Sequence, residues 1–406
     1  MLRKSLILVI ALLAVGLTFV HSQTGSGDGS TIVPGKTFAD KMAWLQAFVQ
    51  SDNSYVIEIS ADESIRGGHS FEYIGKNNIT ITLRGIGANR TISLSSSIMV
   101  RSGVTLILDN NITINGDRVY VAKGGTLIMN TGVTILGSKS GGVFIEREGC
   151  FIMNDGTISG NTVDWGGGGV SVRGGTFTMS SGSISGNTAS ESGGGVDVRE
   201  GIFTMRGGSI SGSSASWGGG VSVRSGTFAM SGGSISGNTA SSSGGGVDVW
   251  GGTFTMSGGS ISGSSASWGG RGSGGGVSVR SGTFIMNGGI ISGNTARENG
   301  GGVFVNDTFT MSGGTIFGNT ASENGGGVYV WGSTFTKTGG TITGYGSDTS
   351  KGNMVKDSSG TILNYRGHAV YVPASGSRGV KIKETTAGPN DNLSYSKDSL
   401  DGAWDN

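Results

Sequence analysis

The chain contains little cysteine, histidine, proline or charge, and each shortage excludes a class of protein. A single cysteine, Cys150, excludes an intrachain disulfide, and three histidines leave almost no ligands for a zinc site. Three prolines in 406 residues exclude a polyproline rod, and 14% charged residues are too few for a typical disordered chain. The net charge is +1, so no general attraction to nucleic acid or to an acidic membrane is expected.

The first residues predict export. Arg3 and Lys4 precede an apolar run over residues 6–20, and Val-His-Ser then supplies a cleavage pattern before Gln23. The run is short for a bilayer core of ~30 Å, and the sequence offers no second apolar span. Residues 1–22 are therefore predicted to be a signal peptide. The mature chain is expected to have no integral membrane span, and to be secreted or to lie at the bacterial outer surface or in the periplasm.

Two segments precede the main pattern. Residues 23–36 are rich in Gly and Ser and are predicted to be a flexible leader. Residues 37–76 are predicted to be an N-terminal cap that contains a short amphipathic helix, which begins at Thr37 with Asp40 in a capping position. Its apolar residues recur at helical spacing: Phe38, Met42, Leu45 and Val49. Such a helix can cover the first turn of a repeat structure.

Glycine, in contrast, is abundant, with 82 residues. Most of the glycines lie in a sequence repeat with a period near 26 residues. A typical unit reads GGGVSVRGGTFTMSSGSISGNTASES. One column of the repeat comprises Phe151, Phe177, Phe203, Phe228, Phe254, Phe284, Phe309 and Phe335. Met and Ile recur in the same way, so each unit contains three alternating segments: Val-x-Val, Phe-x-Met and a central Ile.

A single unit of this kind cannot bury its apolar side chains, but stacked units share one interior. Because parallel crossovers are right-handed in about 98% of cases, the repeat predicts an all-β, right-handed parallel β-helix, or three-faced solenoid, over residues 77–346. A propeller is disfavoured because 26 residues are too few for four strands and their turns. Residues 347–406 are predicted to form an irregular turn, a cap and a tail.

One corner of each unit carries an amide or a hydroxyl. The asparagines at this corner are Asn161, Asn187, Asn238, Asn294 and Asn319, and serine replaces them in two units. Stacked amides can satisfy the backbone groups that a sharp corner leaves without partners. We therefore expect a structural ladder here in preference to ligand contacts.

The unit also resembles a known repeat. The GGGV starts and segments such as Ile184-Ser185-Gly186-Asn187 resemble the paired GGA[ILV] and FxxN repeats of chlamydial polymorphic outer-membrane proteins, and the related repeats of spirochaete surface proteins. In this chain Gly replaces Ala in nearly every start, and Ile replaces Phe in the second motif. The resemblance covers about half of the chain, and it implies a right-handed β-helix used in adhesion.

Two groups of residues are candidates for ligand binding. A tryptophan follows the corner by four residues in three of the units: Trp165, Trp217 and Trp268. An outward column of the Val-x-Val strands contains Arg173, Arg199, Arg224 and Trp250, and continues with Arg280, Asn306 and Trp331. Indole rings about 10 Å apart could stack on an extended glycan, and the arginines could bind an anionic polymer. The alternative is that each tryptophan folds over its own glycine-rich corner, and that the arginine face is solvated and partly paired with Asp197.

These observations favour an exported surface or secreted protein, adhesin-like or structural, that binds an extracellular glycan or a host or cell-surface molecule. No catalytic residue, metal site or cofactor is predicted, because Asp197 and Asp248 lie two turns apart and no pair of turns offers three carboxylates. A secreted polysaccharide lyase or hydrolase, or a carbohydrate-binding module, is the alternative. A minor alternative is an ice-binding solenoid, because outward Thr-x-Thr pairs such as Thr176/Thr178 recur.

Overall fold

In the computed structural model, stacked parallel strands form a right-handed β-helix of about twelve turns, which confirms the predicted fold class. The described residues are 29–267, 273–332, 334–345, 349–363 and 366–372, together with the backbone of 383–384 and 402–404. The predicted signal peptide and most of the predicted tail lie outside these residues. The strands belong to three sheets. The third sheet begins at Thr162–Val163, and from there each turn of the chain passes through the three sheets in order.

The first sheet contains two neighbouring columns of strands. The valine column consists of His69–Phe71, Ile98–Val100, Val119–Val121, Val143–Ile145, Val170–Arg173, Val196–Arg199, Val221–Arg224, Val303–Val305, Val328–Val330 and Val370–Val372. The phenylalanine column consists of Thr31–Ile32, Ser54–Ile59, Ile79–Gly85, Val104–Asp109, Thr126–Met129, Cys150–Met153, Thr176–Met179, Ile202–Met205, Thr227–Met230, Thr308–Met311, Thr334–Lys337 and Lys383–Glu384. Two long strands, Val247–Met256 and Val277–Met286, run through both columns, and Gly402–Trp404 pairs antiparallel with Val370–Val372.

The other two sheets complete the turn. The second sheet consists of Glu63–Ile65, Arg90–Leu94, Ile112–Asn115, Val133–Leu136, Thr157–Ser159, Ser183–Ser185, Ser209–Ser211, Ser234–Ser236, Ser260–Ser262, Ile290–Ser292, Thr315–Phe317 and Thr341–Ile342. The third sheet consists of Thr162–Val163, Thr188–Ala189, Ser214–Trp217, Thr239–Ser243, Ser265–Ala266, Thr295–Ala296, Thr320–Ala321 and Met354–Val355. The three faces therefore differ from the expected assignment: Val-x-Val and Phe-x-Met share one sheet, and an unpredicted strand forms the third.

The core is a set of side-chain columns along the axis. Neighbouring rings of the phenylalanine column are stacked 4.7 to 5.0 Å apart, between 4° and 13° from parallel. In a representative turn Val196, Val198, Phe203, Met205 and Ile210 are all fully buried. At the core positions the register pairs identical residues of successive turns, such as Phe177 with Phe203 and Ile184 with Ile210, so one short apolar set per turn builds a continuous core.

Glycine is required at the corner before each valine strand. Gly193 has a φ of +60°, in the left-handed region that favours glycine. A Cβ atom at Gly195 would lie 2.6 Å from the Ile210 side chain and 2.7 Å from the Gly220 carbonyl oxygen of the next turn. The GGG start of the unit thus allows the chain to turn sharply while adjacent turns stay in contact.

The first turn begins earlier than expected and is covered by the predicted helix, Phe38–Phe48. Thr37 and Asp40 form a capping box, and the helix packs Phe38 edge-on against Phe71. The predicted leader is not wholly flexible, because Thr31–Ile32 pairs in parallel with the strand Ser54–Ile59. Thr-Ile-Val is a β-branched run, and Val33 at its end is buried.

Candidate functional site

The outer side of the valine column is covered by the chain itself. After the third-sheet strand, a corner segment folds back over the next valine strand, as residues 190–193 do over Val196–Arg199 and residue 243 does over Asp248. Ser192 in this segment bridges to the turns on either side, and its hydroxyl donates to the Asp197 carboxylate at 3.0 Å. Asp197 and Asp248, which alternation placed on an outward face, are consequently fully buried.

Both buried carboxylates are held by arginines of the outward column. Arg173 donates to Asp197 at 2.6 Å and Arg199 donates to the same oxygen at 3.0 Å. Arg280 binds Asp248 with two hydrogen bonds, of 2.8 and 2.7 Å. Burial raises the pKa of Asp248, and the charge of Arg280 opposes that rise. The arginine face predicted from the sequence is therefore largely paired internally.

Two tryptophans and two arginines come together beside these ion pairs, and we refer to Trp217, Arg224, Trp250 and Arg280 as the Trp/Arg cluster. The Arg224 guanidinium carbon lies 5.7 Å from the centre of the Trp217 ring and 5.3 Å from that of Trp250. For Arg280 the corresponding distances are 5.4 and 5.0 Å. These are cation–π distances. Trp250 remains 49% exposed, so one indole is open to solvent at the side of the rod.

Arg224 differs from the other arginines of the column. Its Nε and Nη2 atoms are covered, and among the described residues they have no hydrogen-bond partner. The Ser222 hydroxyl, two residues earlier on the same strand, is also buried without a partner. Burial lowers the pKa of Arg224, with Asp197 and Asp248 opposing this from the neighbouring turns. The cluster thus contains a guanidinium group that no carboxylate of the described chain binds.

The other candidate residues are placed differently. Trp165 is 67% exposed and, within the described part of the chain, has no ring or cation contact. Trp268 lies outside the described residues. Arg280, which the sequence places further along the same outward column, also belongs to the cluster. The alternation of residues along the Val-x-Val strands correctly predicted the outward column. It did not predict that the corner segment folds over this column.

The corner asparagines form a buried ladder. In each case the side-chain oxygen accepts from a backbone N–H of the preceding turn, as between Asn187 and Asn161 at 3.0 Å. The amide nitrogen donates to a carbonyl oxygen of the preceding turn, as from Asn187 to Ile158 at 2.9 Å. Asn353 extends the ladder beyond Asn319, because its side-chain oxygen accepts from the Asn319 backbone N–H at 3.0 Å. An insertion separates the two residues, so the regular spacing of the repeat does not predict this contact. These side chains are therefore engaged in corner hydrogen bonds and do not face a ligand.

The described residues contain neither a cluster of metal-ligating side chains nor a helix that could span a membrane. Over the described ranges, no three His, Cys, Asp or Glu side chains lie close enough together to hold a metal ion. Within the same ranges, no helix has the length and apolar character needed to cross a bilayer. Comparison with protein-family models, curated proteins and solved structures gave no match to this chain.

Proposed function

We propose that the chain is an exported, non-catalytic β-helix protein, adhesin-like or structural, that binds an extracellular glycan at the bacterial surface through the Trp/Arg cluster. The signal-like N-terminus and the resemblance to polymorphic outer-membrane protein repeats support export and adhesion. The observation that carries the binding proposal is the pair of indole rings, Trp217 and Trp250, placed beside arginines on the side of the rod.

The chemistry of the cluster suits sugar rings. An indole presents a broad apolar face that stacks on the C–H face of a pyranose, and guanidinium N–H groups donate to ring hydroxyls. Successive turns add about 4.8 Å each, so residues two turns apart can contact neighbouring parts of an extended chain. A polymer lying along the rod could contact Trp250 while its flanking units reach adjacent turns.

The state of the carboxylates favours binding over catalysis. Asp197 and Asp248 are fully buried, and both accept short hydrogen bonds from arginine. A general acid or base must reach the substrate proton directly or through one water molecule. The corner segment covers these two groups, so neither is positioned for glycosidic cleavage.

The test is retention of the purified mature protein on immobilised polysaccharides, selected first on a glycan array. Replacing Trp217 and Trp250 by Ala should strongly reduce retention, because it removes both apolar ring faces of the cluster on which a sugar can stack. Trp165→Ala is the matched control, since that ring is exposed and lies outside the cluster. Unchanged retention of the double variant, or an equal loss in the control, would overturn the proposal.

A second candidate function, ice binding, is favoured by a different surface. Two outward columns of the phenylalanine strands, running in register from Thr80/Thr82 to Thr334/Thr336, contain only Thr, Ile, Ala and Cys. A face of hydroxyl and methyl groups with no charge, repeated at strand spacing, can order water regularly. Thermal hysteresis of the mature protein tests this candidate, and its absence at high protein concentration would eliminate it.

A further inference from the structure

We propose that the glycan bound by the Trp/Arg cluster is acidic, and that Arg224 binds its carboxylate or sulfate group. This rests on the proposed glycan-binding function and adds the chemical class of the ligand. Among the described residues, Arg224 differs from the other arginines in its column because no carboxylate binds it.

Each neighbouring arginine already has an acidic partner. Arg173 and Arg199 share Asp197, and Arg280 takes both oxygens of Asp248. Arg224 lies between these two carboxylates in the stack and makes no hydrogen bond to either within the described chain. One positive charge at the centre of the face therefore lacks a bound counter-ion.

The missing acid can be located in the register. Asp197, Ser222 and Asp248 occupy the same position in three successive turns, so serine stands where both neighbours have a carboxylate. Ser171 and Ser278 hold the same position in other turns, but Arg173 and Arg280 of those turns reach Asp197 and Asp248 in the adjacent turns. Arg224 reaches neither carboxylate, so it is an arginine without the acid of an ion pair, and an acidic group on a ligand can supply it.

The surroundings of Arg224 favour a sugar acid over a free ion. Two indole rings flank the guanidinium group, and they exclude water and strengthen a charge-assisted hydrogen bond. Nη1 is not among its covered nitrogens. An acidic group that approaches along the half-exposed Trp250 ring reaches Nη1 while its sugar ring stacks on the indole. Stacking and ion pairing then act on the same residue of the ligand.

The experiment compares four defined polymers by titration calorimetry: polygalacturonate, methyl-esterified polygalacturonate, dextran sulfate and dextran. Polygalacturonate or dextran sulfate should bind at least tenfold more tightly than the two neutral polymers, and which of the two binds identifies the acidic group as carboxylate or sulfate. Arg224→Gln should weaken that binding about tenfold. Arg206→Gln, at an exposed arginine outside the cluster, removes the same charge and should have no effect.

A second variant keeps the test decisive if Arg224→Gln fails to fold. Ser222→Asp places a carboxylate two residues before Arg224 on the same strand, as Asp197 stands before Arg199, and should abolish the preference for acidic polymers. Equal binding of acidic and neutral polymers, with loss in the Trp217/Trp250 double variant, would refute the acidic ligand and leave the glycan proposal intact. Binding that depends on neither tryptophan would refute both.

Discussion

The asparagine ladder permits a quantitative test of what holds the corners together. Asn238 is fully buried between the second and third sheets. Its side-chain oxygen accepts from the Ser213 backbone N–H at 2.9 Å, and its amide nitrogen donates to the Ile210 carbonyl oxygen at 2.9 Å. Alanine at this position would leave that donor and that acceptor without partners in a place that excludes water.

The expected loss follows from those two groups. A buried backbone group left without a partner costs about 1–3 kcal/mol, so Asn238→Ala, which strands two, should lose roughly 2–6 kcal/mol of unfolding free energy. Serine is the matched control because Ser213 and Ser264 occupy this corner in other turns. The Ser264 hydroxyl accepts from the Asn238 N–H at 3.3 Å. Asn238→Ser should therefore keep one of the two contacts and lose about half as much.

The assay must report on single turns, because each turn of a solenoid contacts only its neighbours and opens locally. Calorimetry gives the overall melting temperature, and hydrogen exchange of the amides near Ser213 and Ile210 gives the local opening free energy. We expect the order wild type, Asn238→Ser, Asn238→Ala in both measurements. Equal stability of the alanine and serine variants would refute the idea that amide hydrogen bonds hold the corner.

Two further predictions concern a buried charge and a corner glycine. Because burial raises the pKa of Asp248, the folded state binds its proton more readily than the unfolded state. The wild-type protein should therefore gain stability relative to Asp248→Asn as the pH falls from neutrality to 3.8, the ordinary pKa of an aspartate. Calorimetry that shows no such gain would contradict this prediction. Gly193→Ala should lower the unfolding free energy by about 1–3 kcal/mol more than Gly186→Ala, measured by denaturant unfolding. Both glycines have a positive φ, but only at Gly193 would a Cβ atom overlap a carbonyl oxygen, that of Val196. Equal losses would show that the backbone strain of positive φ accounts for the whole effect.

The stacking of the core was predictable because the repeat leaves little choice. Equal spacing of Phe177 and Phe203 forces them into one column once successive turns pair in parallel, and the two rings lie 4.7 Å apart. The helix was predictable for a similar reason, since its cap and apolar stripe are local patterns. Both inferences needed only short-range periodicity and the rule that apolar faces must be covered.

The third sheet and the buried carboxylates were not predictable in this way. Thr188–Ala189 contributes only one apolar residue, so its strand looks like part of a Ser/Thr-rich loop. The alternation of apolar and polar residues correctly predicted that Asp197 points away from the core. It does not predict the corner segment that folds back and buries the outer side of the strand. Burial there is decided by tertiary contacts such as that from Ser192, which no local pattern encodes.

The Trp/Arg cluster lies where the repeat departs from itself, and the physics of ladders explains why. Identical turns would stack arginine on arginine, as Arg199 on Arg224, and like charges directly opposite each other are destabilising. Trp250 in the next turn interrupts that column and accepts both Arg224 and Arg280 as cation–π partners. The same replacement leaves an indole ring half open on an otherwise polar face. Relief of repulsion within the fold and a surface suited to an outside ligand therefore arise from a single break in the repeat.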